Sequence, residues 1–225
     1  MEYEELEQAK NKQIIADNKE VAVKYLEQML KLCDDINKLA QHLAELADLL
    51  FDCSKFEKAG KIYTEFTNLY PGNQQIEYAS YRAILCSFYQ ILDAERDQTK
   101  TEETIQLTDN FLERADIFRQ YKDEVYGIQT TCYQKLVASE INICTFYIKK
   151  SSYKSAQKRL DSLRAEWLPK IPTVENQIIM LEIALAEKKG DTAIVLEKQQ
   201  ELKKKYPEEI TLVAKNKKKN MTRRF

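Results

Sequence analysis

Five segments of this chain open in the same way. They read NKEVAVKYLEQML (18–30), SKFEKAGKIYTEF (54–66), TKTEETIQLTDNFL (99–112), SYKSAQKRLDSL (152–163) and GDTAIVLEKQQEL (190–202). Each begins polar, reaches a small residue (Ala22, Ala59, Thr104, Ala156, Ala193), and places an apolar residue or a Tyr three to four positions later. That offset is one turn of an α-helix, so the small residue and its apolar follower share a face. A short side chain is what the close crossing of two antiparallel helices requires. On that reading Ala59→Leu overpacks a crossing and costs about 1–3 kcal/mol. Successive small residues stand 37, 45, 52 and 37 positions apart. Self-similarity at such a period restricts the chain to stacked helical hairpins, because one hairpin cannot bury its own apolar face.

The period sits at or above the ~34 residues of a tetratricopeptide unit, with the middle units lengthened. The fold expected is therefore all-α, a tetratricopeptide-like helical-repeat solenoid of about five helix pairs. First helices fall near 3–16, 35–52, 74–94, 121–150 and 173–189. In DINKLAQHLAELADLLFD the apolar positions 36, 39, 43, 46, 47 and 50 form one helical stripe. The helix around 121–150 is longer than one unit needs. Asp17–Glu20, Ser54–Glu57 and Thr99–Glu102 have capping-box spacing at three predicted starts. Tyr70-Pro71, Leu168-Pro169 and Tyr206-Pro207 put proline where a helix must stop. Residues 1–119 would hold units one to three, 120–207 units four and five, and 208–225 a basic tail.

Only four glycines and four prolines occur in 225 residues, which favours long helices joined by short links. Charged residues are 32% of the chain but sum to −1, so the charge is a mixed solvated surface, which argues against a basic nucleic-acid-binding body. No apolar run approaches the roughly 20 residues of a membrane span, and MEYEELEQAKNK has no apolar signal segment. The protein is thus expected to be cytoplasmic, or to have lost a targeting segment.

Catalytic chemistry is not written in the sequence. No GxxxxGK[ST] or GxGxxG occurs. His42, the only histidine, reads as a partly buried or surface side chain rather than a base. The five cysteines (33, 53, 86, 132, 144) form no CxxC, so neither a zinc site nor complete internal pairing is expected. They read as buried small hydrophobes. No cofactor is expected. Two polar segments stand apart. AERDQTKTEET (94–104) is a solvated link with a helix cap, or a protrusion that touches a partner. The tail KNKKKNMTRRF (215–225) carries six basic residues in eleven. It is either disordered or an electrostatic contact, worth roughly 1 kcal/mol per basic residue near an anionic bilayer.

FEKAGKIYTEFTNLYPGNQQIEYASYRAILCSFY, then ERDQTKTEETIQLTDNFL, then KLVASEINICTFYIKKSSYKSAQKRLDSL resemble the BamD family, the YfiO or ComL lipoproteins of outer-membrane protein assembly. The order matches over most of residues 3–207. Arg96-Asp97-Gln98 together with Phe146-Tyr147, Tyr153, Ala156 and Arg159-Leu160 carry most of the specificity. The resemblance implies a non-enzymatic subunit of the machinery that folds β-barrel proteins into the bacterial outer membrane. It would sit on the periplasmic face, held by a lipid on an N-terminal cysteine. Units one to three would receive the C-terminal signals of unfolded barrel proteins, with Tyr25, Phe56, Tyr63, Tyr81 and Arg82 as client-binding candidates. Units four and five would dock on a BamA-type subunit and accessory lipoproteins. The candidates for partner contact are Arg96, Asp97, Gln98, Tyr147, Lys150 and Arg159. A salt bridge within the array is the competing role for Arg159. No cysteine near the start has a lipid-acceptor context, and Cys33 follows MLKL. The chain is then expected to be a mature domain with a replaced N-terminus, or the product of a gene without the signal. The alternative is a cytoplasmic tetratricopeptide scaffold that binds a peptide or helix of a protein partner.

Overall fold

The structure, a computed structural model, describes residues 2–207; the basic tail expected at 208–225 lies outside them. Among the described residues ten α-helices follow one another: α1 (Tyr3–Ile15), α2 (Lys19–Leu32), α3 (Ile36–Asp52), α4 (Phe56–Leu69), α5 (Ile76–Phe88), α6 (Thr99–Leu112), α7 (Lys122–Lys149), α8 (Tyr153–Ser162), α9 (Glu175–Lys189) and α10 (Thr192–Lys205). They pack as consecutive pairs, α1 on α2, α3 on α4, α5 on α6 and α9 on α10, with α2 on α3, α4 on α5 and α8 on α9 joining pair to pair. This is the all-α, tetratricopeptide-like arrangement that the spacing predicts. The first helices agree with the predicted ranges except α5, which stops at Phe88 rather than at 94.

The chain divides into two compact units, one holding Met1–Cys132 and the other beginning at Tyr133, and α7 carries the backbone from one into the other. In the first, Leu26, Met29, Leu50, Tyr63 and Phe66 form the centre of one buried cluster. Ile84, Phe111, Phe118, Val125 and Cys132 form another. In the second unit Cys144, Ile148, Leu160, Leu163 and Ile178 are packed together. α8 runs on into a π-helical turn, Leu163–Trp167, before Pro169.

The small residues do what the close-crossing argument requires at four of the five places. Ala22, Ala59, Thr104 and Ala156 are fully buried. Ala193 is exposed, so the fifth assignment does not hold. Counted from the helix start, Ala22, Ala59 and Ala156 are each the fourth residue of α2, α4 and α8, and the fourth residue of α10 is Val195. The lengthened third pair replaces the small-residue device with Thr101, Thr104 and Thr108, all buried. Their hydroxyls are satisfied locally: Thr104 donates to Ser87 Oγ (2.8 Å) or to the Lys100 carbonyl (2.7 Å), Thr101 to Gln98 Oε1 and Thr108 to the Ile105 carbonyl.

The predicted capping boxes are not formed. Asn18, Lys55 and Gln98 precede α2, α4 and α6 without a side-chain cap bond. Asp17 and Ser54 instead adopt left-handed backbone, φ +57° each, and terminate the helix before them. Ser151 (φ +58°) and Gly190 (φ +78°) do the same. In each turn two amides close back on the ended helix: Asp17 and Asn18 N–H on Ile14 and Gln13 carbonyls, Ser54 and Lys55 on Phe51 and Leu50, Ser151 and Ser152 on Ile148 and Tyr147, Gly190 and Asp191 on Glu187 and Ala186. This is the Schellman closure, and it satisfies carbonyls that the helix end would otherwise leave bare. Side-chain caps occur at α3, where Asp35 Oδ1 accepts from Asn37 and Lys38 N–H, and at α10, where Asp191 Oδ1 accepts from Ile194 N–H.

Candidate functional site

Three neighbouring helices of the first unit each turn residues one or two turns apart toward a common point. Asp48 and Phe51 on α3 are three apart, Tyr78 and Arg82 on α5 four apart, Phe56 and Tyr63 on α4 seven apart, so each pair shares a helical face. Asp48 Oδ1 accepts from the hydroxyls of Tyr63 and Tyr78, the latter at 2.7 Å. Arg82 Nε donates to the Tyr63 hydroxyl at 3.1 Å, and Arg82 Nη2 lies 3.6 Å from Asp48 Oδ1. Burial and the bond to Asp48 push the Tyr78 phenol up to about 12 and raise Tyr63 further. Burial opposes the Arg82 charge, yet the bond to Tyr63 and the nearby Asp48 carry its pKa above the ordinary arginine value.

The guanidinium also covers an aromatic face. Arg82 Cζ stands 3.5 Å from the Phe51 ring centre. Phe51 meets Phe56 edge-on at 5.2 Å, Phe56 lies 5.0 Å from Tyr89, and Tyr89 lies 5.9 Å from Phe51. Three rings within 6 Å of one another make a cup, backed by a cation–π contact. Tyr89, the residue after α5, is 53% exposed and forms its open rim. Beside it an open depression of about 400 Å³ is lined by Ser54, Lys55, Phe56, Glu57, Lys58 and Gln90.

Of the client-binding candidates, the structure brings Phe56, Tyr63 and Arg82 together. Tyr63 is wholly buried, and only its hydroxyl enters the network. Tyr81 stacks on Tyr121, ring centres 4.4 Å apart, and Tyr25 is half-buried against the core of the first pairs. Phe51, Tyr89, Asp48 and Tyr78 were not singled out from sequence. The i,i+3 pairing of Asp48 with Phe51 is the one local signal, and it resembles many other helical pairs.

Among the partner-contact candidates, Arg96 and Asp97 are exposed and Gln98 is half-buried in the link before α6. Gln98 Nε2 donates to the Asp93 and Arg96 carbonyls at 2.8 and 2.9 Å, and Asp97 Oδ1 accepts from Thr99 N–H. Two of the three side chains therefore build the link itself. In the second unit Arg159 Nη1 donates to both oxygens of Glu140 at 2.9 Å. Tyr147 is half-buried, while Lys150 is exposed, 6.0 Å from the ring of an exposed Phe146.

His42 is a core side chain. Its Nε2 meets the Tyr3 hydroxyl, and the neighbouring Glu45 accepts from buried Lys10 at 2.6 and 2.7 Å. All five cysteines are free thiols. Cys86, Cys132 and Cys144 are buried as expected, and burial pushes the first and last up to about 12 and about 11. Cys33 and Cys53 are only half-buried, because they stand at the ends of α2 and α3 rather than within them. No helix among the described residues is long and apolar enough to cross a membrane.

Paired helices packed in succession, with hydrogen-bonded polar clusters between them, define a helical-repeat scaffold. The profile of the YfiO family, described as an outer membrane lipoprotein, matches residues 2–202. The chain belongs to that family. It is 31% identical over 89 residues to "Outer membrane protein assembly factor BamD" of Caulobacter vibrioides, covering 37% of this chain and 27% of the relative. It is 29% identical over 119 residues to the protein of the same name from Rickettsia prowazekii, covering 51% of this chain and 45% of the relative. The matched stretches thus span less than half of either curated relative.

Proposed function

We propose that this protein is a non-enzymatic subunit of the machinery that assembles β-barrel proteins in the bacterial outer membrane. The observation that carries the reading is the family match over residues 2–202, joined by two relatives that are named as assembly factors. Units one to three (3–119) receive unfolded barrel proteins through their C-terminal signals. Units four and five (121–205) dock on a BamA-type subunit and its accessory lipoproteins, with Arg159 close to that contact. The native protein is held at the periplasmic face by an N-terminal lipid. A repeat scaffold suits both tasks, since stacked pairs present extended surfaces without a catalytic centre.

The test is association. Purified chain should bind the periplasmic domain of a BamA-type protein and peptides from barrel C-termini. Arg159→Ala should weaken the first interaction and leave the second unchanged. Failure to bind both overturns the assembly role. Mass spectrometry of the native product from the membrane fraction tests the lipid: an acylated N-terminal cysteine is expected, and an unmodified cytosolic product overturns the localisation.

A further inference from the structure

The second compact unit gathers unpaired lysines at one end. Lys149 is the last residue of α7, Lys150 follows it, the left-handed turn at Ser151 comes next, and Lys154 stands in the first turn of α8. The Tyr153 hydroxyl donates to the Lys188 carbonyl at 3.0 Å. That bond brings the last turn of α9, with Lys188 and Lys189, to the start of α8. All five lysines are exposed, and none has an ion-pair partner among the described residues. The acids in these stretches are Glu187 and Asp191, and Asp191 is the side-chain cap of α10.

Helix ends account for part of the cluster. Lys149, Lys188 and Lys189 occupy last turns, where a cation offsets the carbonyl end of the helix dipole. Lys154 has the opposite placing. It meets the positive end of α8, in a first turn that holds no acid. Lys150 lies beyond α7, in the turn itself. Beside them Phe146 is 54% exposed, its ring edge-on to Tyr147 at 5.7 Å and 6.0 Å from Lys150 Nζ. An open ring among ammonium groups matches a layer of anionic headgroups over acyl chains. The charges stay at headgroup level while the ring and the lysine stems reach the apolar boundary. A protein partner matches less well, because protein interfaces are depleted in Lys and enriched in Arg. The neighbouring Arg159 is already taken by Glu140.

We propose that Lys149, Lys150, Lys154, Lys188 and Lys189, with Phe146, form a contact surface for the headgroups of anionic phospholipids. The proposal takes from the function above only that the protein works beside a bilayer. An acyl anchor tethers a protein without choosing which face meets the membrane; this patch makes the choice. Lys150, expected to meet a protein partner, meets lipid instead.

Vesicle flotation with the full chain decides the matter. One set of vesicles is phosphatidylcholine alone, the other phosphatidylcholine with about 30 mol% phosphatidylglycerol. Binding should require the anionic lipid and should fall about tenfold as salt rises from about 0.05 to 0.5 M. The triple variant Lys149→Glu, Lys150→Glu, Lys154→Glu should bind about tenfold more weakly. A matched variant, Lys12→Glu, Lys24→Glu, Lys31→Glu, alters three exposed lysines of the first unit and the same net charge. It should bind within about twofold of the unaltered chain. Residues 208–225 are the same in both variants, so a difference between them belongs to the patch. Phe146→Ser should remove the binding that survives the higher salt. Circular dichroism checks that each variant folds. Equal binding to the two kinds of vesicle, or an equal loss in the two triple variants, overturns the patch. Unchanged salt-resistant binding by Phe146→Ser overturns the role of that ring. A patch variant that keeps vesicle binding but loses the BamA-type domain means that the lysines meet a protein, and overturns the lipid contact. If no vesicle binds while the BamA-type domain still does, the patch is overturned and the assembly role stands.

Discussion

Asp48 Oδ1 is the acceptor on which two tyrosine hydroxyls converge, with a guanidinium alongside. Asp48→Ala leaves two phenols without their acceptor and Arg82 without its neighbouring carboxylate, so it should lower stability by about 1–3 kcal/mol, read from urea midpoints. The tyrosines also make a pH prediction. Up to pH 10, the ordinary phenol value, folded and unfolded chains hold the same phenolic protons. Above it the unfolded chain releases protons that folded Tyr78 and Tyr63 retain. The unfolded state then binds fewer protons, and stability falls as pH rises. For Tyr78 the fall runs from about 10 to about 12, and for Tyr63 it continues beyond. Thermal melts between pH 9 and 12 should show the decline, with Tyr78→Phe less steep. The candidate site was only partly legible at this scale. Phe56 and Arg82 are recognisable as an aromatic and a cation on helices, but Arg82's engagement depends on Asp48, 34 positions earlier, and no local pattern joins them.

The four Schellman turns are the elements that define the pairs. A left-handed residue costs an L-amino acid roughly 1–2 kcal/mol relative to glycine's freedom. Gly190 occupies such a position, whereas Asp17, Ser54 and Ser151 bear the strain. Ser54→Gly should therefore raise stability by up to about 1 kcal/mol, and Gly190→Ala should lower it by about 1 kcal/mol. Chemical denaturation of the two variants, run side by side, gives opposite shifts if the turns work this way. The sequence suggested capping boxes at Asp17 and Ser54 because an oxygen-bearing side chain followed three residues later by Glu fits both devices. What decides between them is the sharp reversal. With only Ala16, Asp17 and Asn18 between α1 and α2, the chain reverses through a left-handed Asp17, and no side chain caps the start of α2.

At the scale of the molecule, stacked pairs interact chiefly with their neighbours, so stability is close to a sum of local terms. The Asp48–Arg82 network belongs to the first compact unit and the Arg159–Glu140 pair to the second. Asp48→Ala and Arg159→Ala should then be additive within about 0.5 kcal/mol, as a double-variant cycle measures. A coupling well beyond that would mean the two units unfold as one.

Sequence alone determined the pairing of helices, the proline stops after α4 and α10, and four of the five crossing residues. Each of these depends on contacts or backbone limits within a few turns of the chain. Family membership was legible for a similar reason, since it rests on the order of local segments. Tertiary structure decided the rest. It ended α5 at Phe88, left Ala193 exposed, and replaced the capping boxes by left-handed turns. It also engaged Arg82 with Asp48 and Tyr63. Those outcomes depend on which residues from different helices meet at one point, and the pairwise distances that fix them exist only once α3, α4 and α5 are packed.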